Sequence, residues 1–190
     1  MRITFLGGGN MAAALIGGLL RRGQVASELR VVEIAAQARA HLEEEFGVRC
    51  REVMDGEALG CEVIVLAVKP QQMRAACAPL AGALSSQLVV SIAAGLRLAD
   101  LCRWLGGYRR VVRTMPNTPA LIGAGITGLC AAREVSAEER ARAEAILAAA
   151  GEVLWIEDEA MMDAVTAVSG SGPAYVFYFI EALQAAAREL

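Results

Sequence analysis

Residues 5–20 read FLGGGNMAAALIGGLL, an apolar run broken near its start by three consecutive glycines and an asparagine. The residues before the break, RITFL, have the character of a short strand. Those after it, NMAAALIGGLLRRG, form a helix that Arg21, Arg22 and Gly23 close. Glycine between a strand and a helix has two explanations. Either the turn itself needs a residue without a side chain, or something outside the chain comes closer to the backbone than a side chain would permit.

The same alternation continues along the chain. LRVVE reads as a second strand, AAQARAHLEEEFG as an amphipathic helix, VRCRE as a weak strand and CEVIVLAV as a strand apolar on both faces. Pro70 opens an expected helix, PQQMRAACAPLAGAL. QLVVSIAAG is then a strand, LRLADLCRWLG a helix and RRVVRTMP a further strand. AGITGLCAA and EVLWIE complete the sheet on either side of a helix that Ser136 and Glu139 open as a capping box. Strands and helices alternating at this length predict right-handed crossovers and a doubly wound, mostly parallel sheet of the α/β class. A hydrophobic fraction of 56% and a mean hydropathy of +0.44 suit such a sheet, buried on both faces, and suggest surface that a partner subunit covers.

After residue 157 the chain turns helical. From Ala174 to Ile180 the last helix is apolar or aromatic on every side, which predicts burial against another subunit or under a continuation of the chain. The chain is accordingly expected to be a fragment, or the ordered part, of a longer protein.

Several function classes are disfavoured. A net charge of −3 and a pI near 5.3 argue against nucleic acid or an acidic membrane surface as partner, and no run of about 20 apolar residues predicts a span. Cysteines 50, 61, 77, 102 and 130 form no C-x-x-C pair, which reads as reduced thiols of a cytoplasmic protein and not as disulfides or a zinc site. The only histidine, His41, sits beside Glu43, Glu44 and Glu45 in a charged helix, so a Ser–His–Asp engine is not expected, and no metal-ligand cluster stands out.

The glycine loop points to a different chemistry. Gly7, Gly9 and Ala12 fit G-x-G-x-x-A between a strand and a helix, the Rossmann fingerprint for a dinucleotide pyrophosphate. Glu33 ends the second strand, where an acidic residue accepts hydrogen bonds from ribose hydroxyls, although a solvated strand-end glutamate would look the same. Lys69 follows a central strand at the end where ligands of open sheets bind; the plain alternative is a surface lysine. Ala93 and Ala94, in SIAAG, offer small residues against which a flat ring can lie. In MPNTPA two prolines stiffen the loop that carries Asn117. Ser169, Gly170, Ser171 and Gly172 precede Pro173 as a second glycine-rich helix start, either a carboxylate site or a simple cap. The C-terminal boundary falls near residue 165, giving a dinucleotide-binding domain over 1–165 and the start of a helical domain over 166–190.

FLGGGNMA, LAVKPQ, SIAAGL, VVRTMPNTPA and AVSGSGPAYVF occur in the order and spacing of the pyrroline-5-carboxylate reductases, and the whole chain resembles that family. The resemblance implies reduction of a cyclic imine acid, 1-pyrroline-5-carboxylate, to L-proline by NADPH or NADH, the last step of proline biosynthesis. It implies a homodimer or higher homo-oligomer built through the C-terminal helices. It also implies that Leu6, Gly7, Gly8, Gly9, Asn10, Met11, Ala67, Val68, Lys69, Pro70 and Ala94 line the dinucleotide. A protonated imine needs no enzymic nucleophile, so no catalytic residue is assigned, with Asn117 and Lys69 as positioning groups. Two departures stand out. The family's Ser-Pro-Gly-Gly-Thr-like substrate loop is absent from these residues, and Glu33-Ile34 replaces the Asn-Arg or Ser-Arg of NADPH-preferring relatives, which predicts a preference for NADH. Two rivals are a non-catalytic dinucleotide-binding redox sensor and a hydroxyacid dehydrogenase. The latter needs a lysine or histidine after residue 157, where there is none.

Overall fold

The computed structural model describes residues 1–189. Its centre is one eight-stranded sheet: β1 (Ile3–Leu6), β2 (Leu29–Val32), β3 (Arg49–Arg51), β4 (Val63–Leu66), β5 (Leu88–Ser91), β6 (Val111–Met115), β7 (Gly125–Ala131) and β8 (Gly151–Trp155). The strand order is β3-β2-β1-β4-β5-β6-β7-β8. The first three strands step outward in one direction and the fourth returns to the other side of β1, so the order reverses between β1 and β4. All neighbouring strands run parallel except β7, which is antiparallel to β6. Only residues 116–124 join β6 to β7, too few for the crossover of a dozen or more residues that a parallel return requires.

Helices cover both faces: α1 (Asn10–Arg21), α2 (Ala36–Phe46), the short α3 (Gly56–Leu59), α4 (Met73–Cys77), α5 (Leu98–Trp104) and α6 (Ala137–Leu147). Alternate residues of each central strand feed opposite cores. Ile3, Phe5, Val63 and Val65 pack with Leu15, Ile16, Leu42, Ile146 and Leu147 on one side. Leu6, Ile64, Leu66 and Val89 pack with Met73, Cys77, Leu80 and Leu101 on the other. Each such side chain, buried completely, contributes about 1.5–3 kcal/mol, which is why these strands are continuously apolar. α6 opens with the expected capping box, Ser136 accepting from the Glu139 N–H while Glu139 accepts from that of Ser136.

The long helix expected after Pro70 is broken into a 3-10 turn (Pro70–Gln72), α4 and another 3-10 turn (Ala78–Leu80). Pro79 explains the break, because it has no N–H to donate and its ring crowds the carbonyl four residues back.

Beyond β8, α7 (Met161–Val165) leads through a π-helical segment (Thr166–Gly170) into α8 (Gly172–Glu189). Arg113 of β6, only 3% exposed, fastens this segment to the sheet. Its Nη1 donates to Glu159 at 3.0 Å, its Nη2 lies 3.5 Å from Asp163, and the same Glu159 oxygen accepts the Leu98 N–H at 2.7 Å. α8 is exposed along its length within this chain, Phe177 by 62% and Tyr178 by 75%. Its all-round apolar surface therefore meets no covering element among the described residues.

The face of α1 that crosses the Ala148–Ala150 turn is unusually tight. A Cβ on Gly18 would lie 2.1 Å from the Ala149 carbonyl oxygen, whereas one on Gly17 would meet only the Phe46 ring and the end of Arg21, at 3.2 and 3.3 Å. Gly18→Ala is expected to lower stability by about 1–3 kcal/mol, the scale of core overpacking. Gly17→Ala, offset by the better helix propensity of alanine, should cost less. Urea midpoints of the two variants check the order, and a Gly18→Ala midpoint at or above that of Gly17→Ala contradicts it.

Candidate dinucleotide site

At the reversal between β1 and β4 the backbone comes together closely. Gly7 donates its N–H to the Val32 carbonyl and Ala67 donates to that of Leu6, both at 2.8 Å. Gly7 has φ +102°, and a Cβ there would stand 2.7 Å from the Ala67 carbonyl oxygen. The first glycine is thus required by the fold itself.

Gly9 is different. It precedes α1 with φ −72° and ψ 179°, a conformation open to any residue, and no atom beyond its chain neighbours lies within 4 Å of where its Cβ would be. It offers no side-chain cap, and the first turn of α1 carries no acidic residue. The N–H groups at this positive helix end therefore face open space without an anion from the chain. Ala12, 1% exposed, packs beneath the turn.

A cleft of about 730 Å³ opens above the loop. Of the residues singled out from sequence, Leu6, Gly7, Gly8, Gly9, Glu33, Ala67, Val68 and Lys69 line it. Asn10 instead lines a separate hollow with Ala13, Arg21 and Phe46. Met11 packs against the core beneath α1, and Pro70 starts the turn behind Lys69. Ala93 is 5% exposed and belongs to the second core, while Ala94 is exposed at the end of β5.

The sequence reading missed much of the cleft's lining, contributed by Glu52, Val53 and Met54 after β3 and by Gln72, Ala75, Ala76 and Pro79 around α4. The signal was topological: β3 lies beside β2, so whatever follows it reaches the same carboxyl edge of the sheet, where ligands of open sheets bind.

Glu33 is held firmly. One carboxylate oxygen accepts the Gly8 N–H and the other the Ala35 N–H, each at 2.9 Å. An ionised carboxylate has about four acceptor positions, so both oxygens retain capacity for a ligand hydroxyl. Arg39 of α2 turns back onto the same bend, its Nη1 donating to the carbonyls of Glu33 and Ile34 at 2.7 and 2.9 Å.

A second cluster lies along the same edge, at the end of β6. Asn117 accepts the Ile126 N–H at 3.0 Å and donates to Ser169 Oγ at 3.2 Å. Gly170 abuts Met115. The N–H of Ser171, read from sequence as free at a helix start, is donated at 2.8 Å to the Thr166 carbonyl within the π-helical turn. The strand order places the end of β5, with Ala93 and Ala94, between this cluster and the cleft.

Burial pushes the Cys50 and Cys77 thiols up to about 11, with Glu43 adding to the effect at Cys50. Among the described residues no group of three or more histidines, cysteines or acids is placed to hold a metal, and no helix is long and apolar enough to cross a membrane.

Two family descriptions match the chain: NADP oxidoreductase coenzyme F420-dependent over residues 2–95, and pyrroline-5-carboxylate reductase dimerisation over residues 159–190. The pyrroline-5-carboxylate reductase of Pseudomonas aeruginosa is 50% identical over 190 residues, covering 100% of this chain and 70% of that one. The solved structure of a pyrroline-5-carboxylate reductase from Coxiella burnetii superposes with a TM-score of 0.91 at 40% identity, over 100% of this chain and 71% of that one. That of Plasmodium falciparum pyrroline carboxylate reductase with NADP bound gives a TM-score of 0.86 at 30% identity, over 100% and 70% of the two chains.

Gly9→Val is expected to fold normally yet lose dinucleotide binding, because its side chain enters open space. Gly7→Val is expected to lose stability outright. Calorimetric melting with and without NADH separates the two, and unchanged NADH affinity in Gly9→Val takes the loop out of the site. Lys69 is the only lysine among 18 basic residues, so its amine can be followed alone. Bound NADH should slow reductive methylation of Lys69 while leaving the Met1 amine unaffected. Equal protection of both, or of neither, contradicts the placement of Lys69 at the bound cofactor.

Proposed function

The chain belongs to the pyrroline-5-carboxylate reductase family, and on that premise we propose that its cleft binds a nicotinamide dinucleotide for the reduction of 1-pyrroline-5-carboxylate to L-proline. The observation that carries this reading is the uncapped N-terminus of α1 behind Gly9, open where a pyrophosphate needs backbone N–H groups. When bound, the dinucleotide supplies the hydride. The chain's own residues have simpler tasks. Gly9 and the first turn of α1 hold the pyrophosphate, and Glu33, tied to the Gly8 N–H, accepts the adenosine ribose hydroxyls. Ala67, Val68 and Lys69 border its path from the reversal point.

Toward the end of β6, Asn117 orients Ser169, and Ser169–Gly172 receive the substrate carboxylate. Ala94, exposed between them, supports the nicotinamide, whereas Ala93 is buried in the second core. No side chain needs to act as nucleophile, since the protonated imine carbon is already electrophilic and the residues have only to bring the reactants within about 3–3.5 Å. Residues 1–165 form the dinucleotide-binding domain, and a helical segment runs from residue 166. α8, apolar and exposed in this chain, is where a second copy docks, in keeping with the dimerisation match over residues 159–190. The protein is expected to work in the cytoplasm. Incubation with 1-pyrroline-5-carboxylate and NADH should yield proline equivalent to the NADH consumed. NADH binding without proline would favour a sensor instead.

Cofactor choice follows from Glu33. Its carboxylate repels a 2′-phosphate and accepts hydrogen bonds from a free diol, worth about 1.5–3 kcal/mol for a charged acceptor. NADH should therefore bind about tenfold or more tightly than NADPH, each tenfold being about 1.4 kcal/mol. Glu33→Ser also releases Gly8, so the ratio of the two affinities is the quantity to measure. A wild type that prefers NADPH, or a Glu33→Ser variant with an unchanged ratio, contradicts this assignment.

A further inference from the structure

Arg39 occupies an odd position. It stands in the first turn of α2, where the helix dipole disfavours a cation, and its guanidinium folds back over the end of β2. Both hydrogens of Nη1 are used on the carbonyls of Glu33 and Ile34. The remaining terminal nitrogen, Nη2, lies 3.4 Å from an Oε atom of Glu52. Glu52 directly follows β3, the neighbour of β2, and lines the cleft together with Glu33, Ile34 and Ala35. Among the described residues Arg39 is the only cation within ion-pair distance of Glu52. Two carboxylates thus line this end of the cleft, while Arg39, outside that lining, is already engaged by the Glu33 and Ile34 carbonyls and by Glu52.

We propose that Glu52 is a positioning residue for cofactor selection: it holds Nη2 of Arg39 away from the place where a 2′-phosphate would lie, and keeps this end of the cleft net negative. The inference rests on the dinucleotide reading above and adds a second determinant to Glu33. A 2′-phosphate beside Glu33 needs a donor, and Nη2 of Arg39, whose companion Nη1 already holds the Glu33 carbonyl, is one that α2 can present once it leaves Glu52. While Glu52 faces that nitrogen, the donor is occupied and a further carboxylate opposes the phosphate. With Glu52 neutral, the guanidinium still braces the turn through Nη1 and can present Nη2 to the phosphate in a charge-assisted contact. Glu52 has its side chain 67% exposed. Exposed pairs contribute little to folding, so its replacement should act on selectivity and leave the fold intact.

The test is direct titration of NADH and NADPH, by nucleotide fluorescence, on four proteins. Glu52→Gln should raise NADPH affinity about tenfold, the scale of one charge-assisted hydrogen bond, and change NADH affinity by less than about twofold. Glu52→Asp, which keeps the charge, should stay near the wild-type ratio. In the double variant Glu52→Gln, Arg39→Met the gain should vanish. An unchanged ratio in Glu52→Gln overturns the proposal, as does a gain that survives loss of Arg39. A wild type that already prefers NADPH overturns instead the Glu33 reading beneath it, so the two failures are read from different proteins.

Discussion

The contact on which the rest of the structure depends is the approach of residue 7 to the carbonyl of Ala67. Because the strand order reverses between β1 and β4, the two chains leaving those strands must diverge, and Gly7 is where they still touch. A left-handed backbone without a Cβ lets β1 turn directly into α1, which in turn aims the helix N-terminus at the gap. The cleft, the exposure of the loop N–H groups and the tether from Gly8 to Glu33 all follow from that one turn. Glycine is thus used twice within three residues for unrelated reasons, once for the chain's geometry and once for space.

Much of this was legible in the sequence because the signals were local. The apolar strands, the capping box at Ser136 and Glu139, the glycine spacing and the acidic end of β2 each depend on residues close together in the chain. What was missed depended on partners far away in sequence. Arg113, a charge inside an apolar strand, makes sense only once Glu159 and Asp163 are folded over it. Glu52 closed a weak strand in sequence and turned out to face Arg39 of α2. The break at Pro79 was local and should have been read, since a proline in the middle of a helical pattern interrupts it.

The carboxyl edge of the sheet carries two stations with a spacer between them. Glycine loop and Glu33 stand at β1 and β2, small residues at β5, and the Asn117–Ser169 pair at β6. The second station is assembled from both parts of the chain, because Ser169 belongs to the helical segment and Asn117 to the sheet. Arg113, Glu159 and the N–H of Leu98 fix that segment in place, so the position of Ser169 depends on a partly buried ion pair as well as on its own hydrogen bond. The carboxyl edge of the sheet and the exposed apolar helix α8 are therefore continuous through a single π-helical turn.

The central claim is that the reversal point between β1 and β4 is where the dinucleotide sits. A crystal structure of the protein with NADH tests it most directly. The account predicts the pyrophosphate against the N–H groups following Gly8, the adenosine ribose hydroxyls on Glu33, and the nicotinamide directed along the edge toward Ala94 and Asn117. A dinucleotide bound elsewhere on the chain, or one whose pyrophosphate makes no contact with the glycine loop, would contradict it.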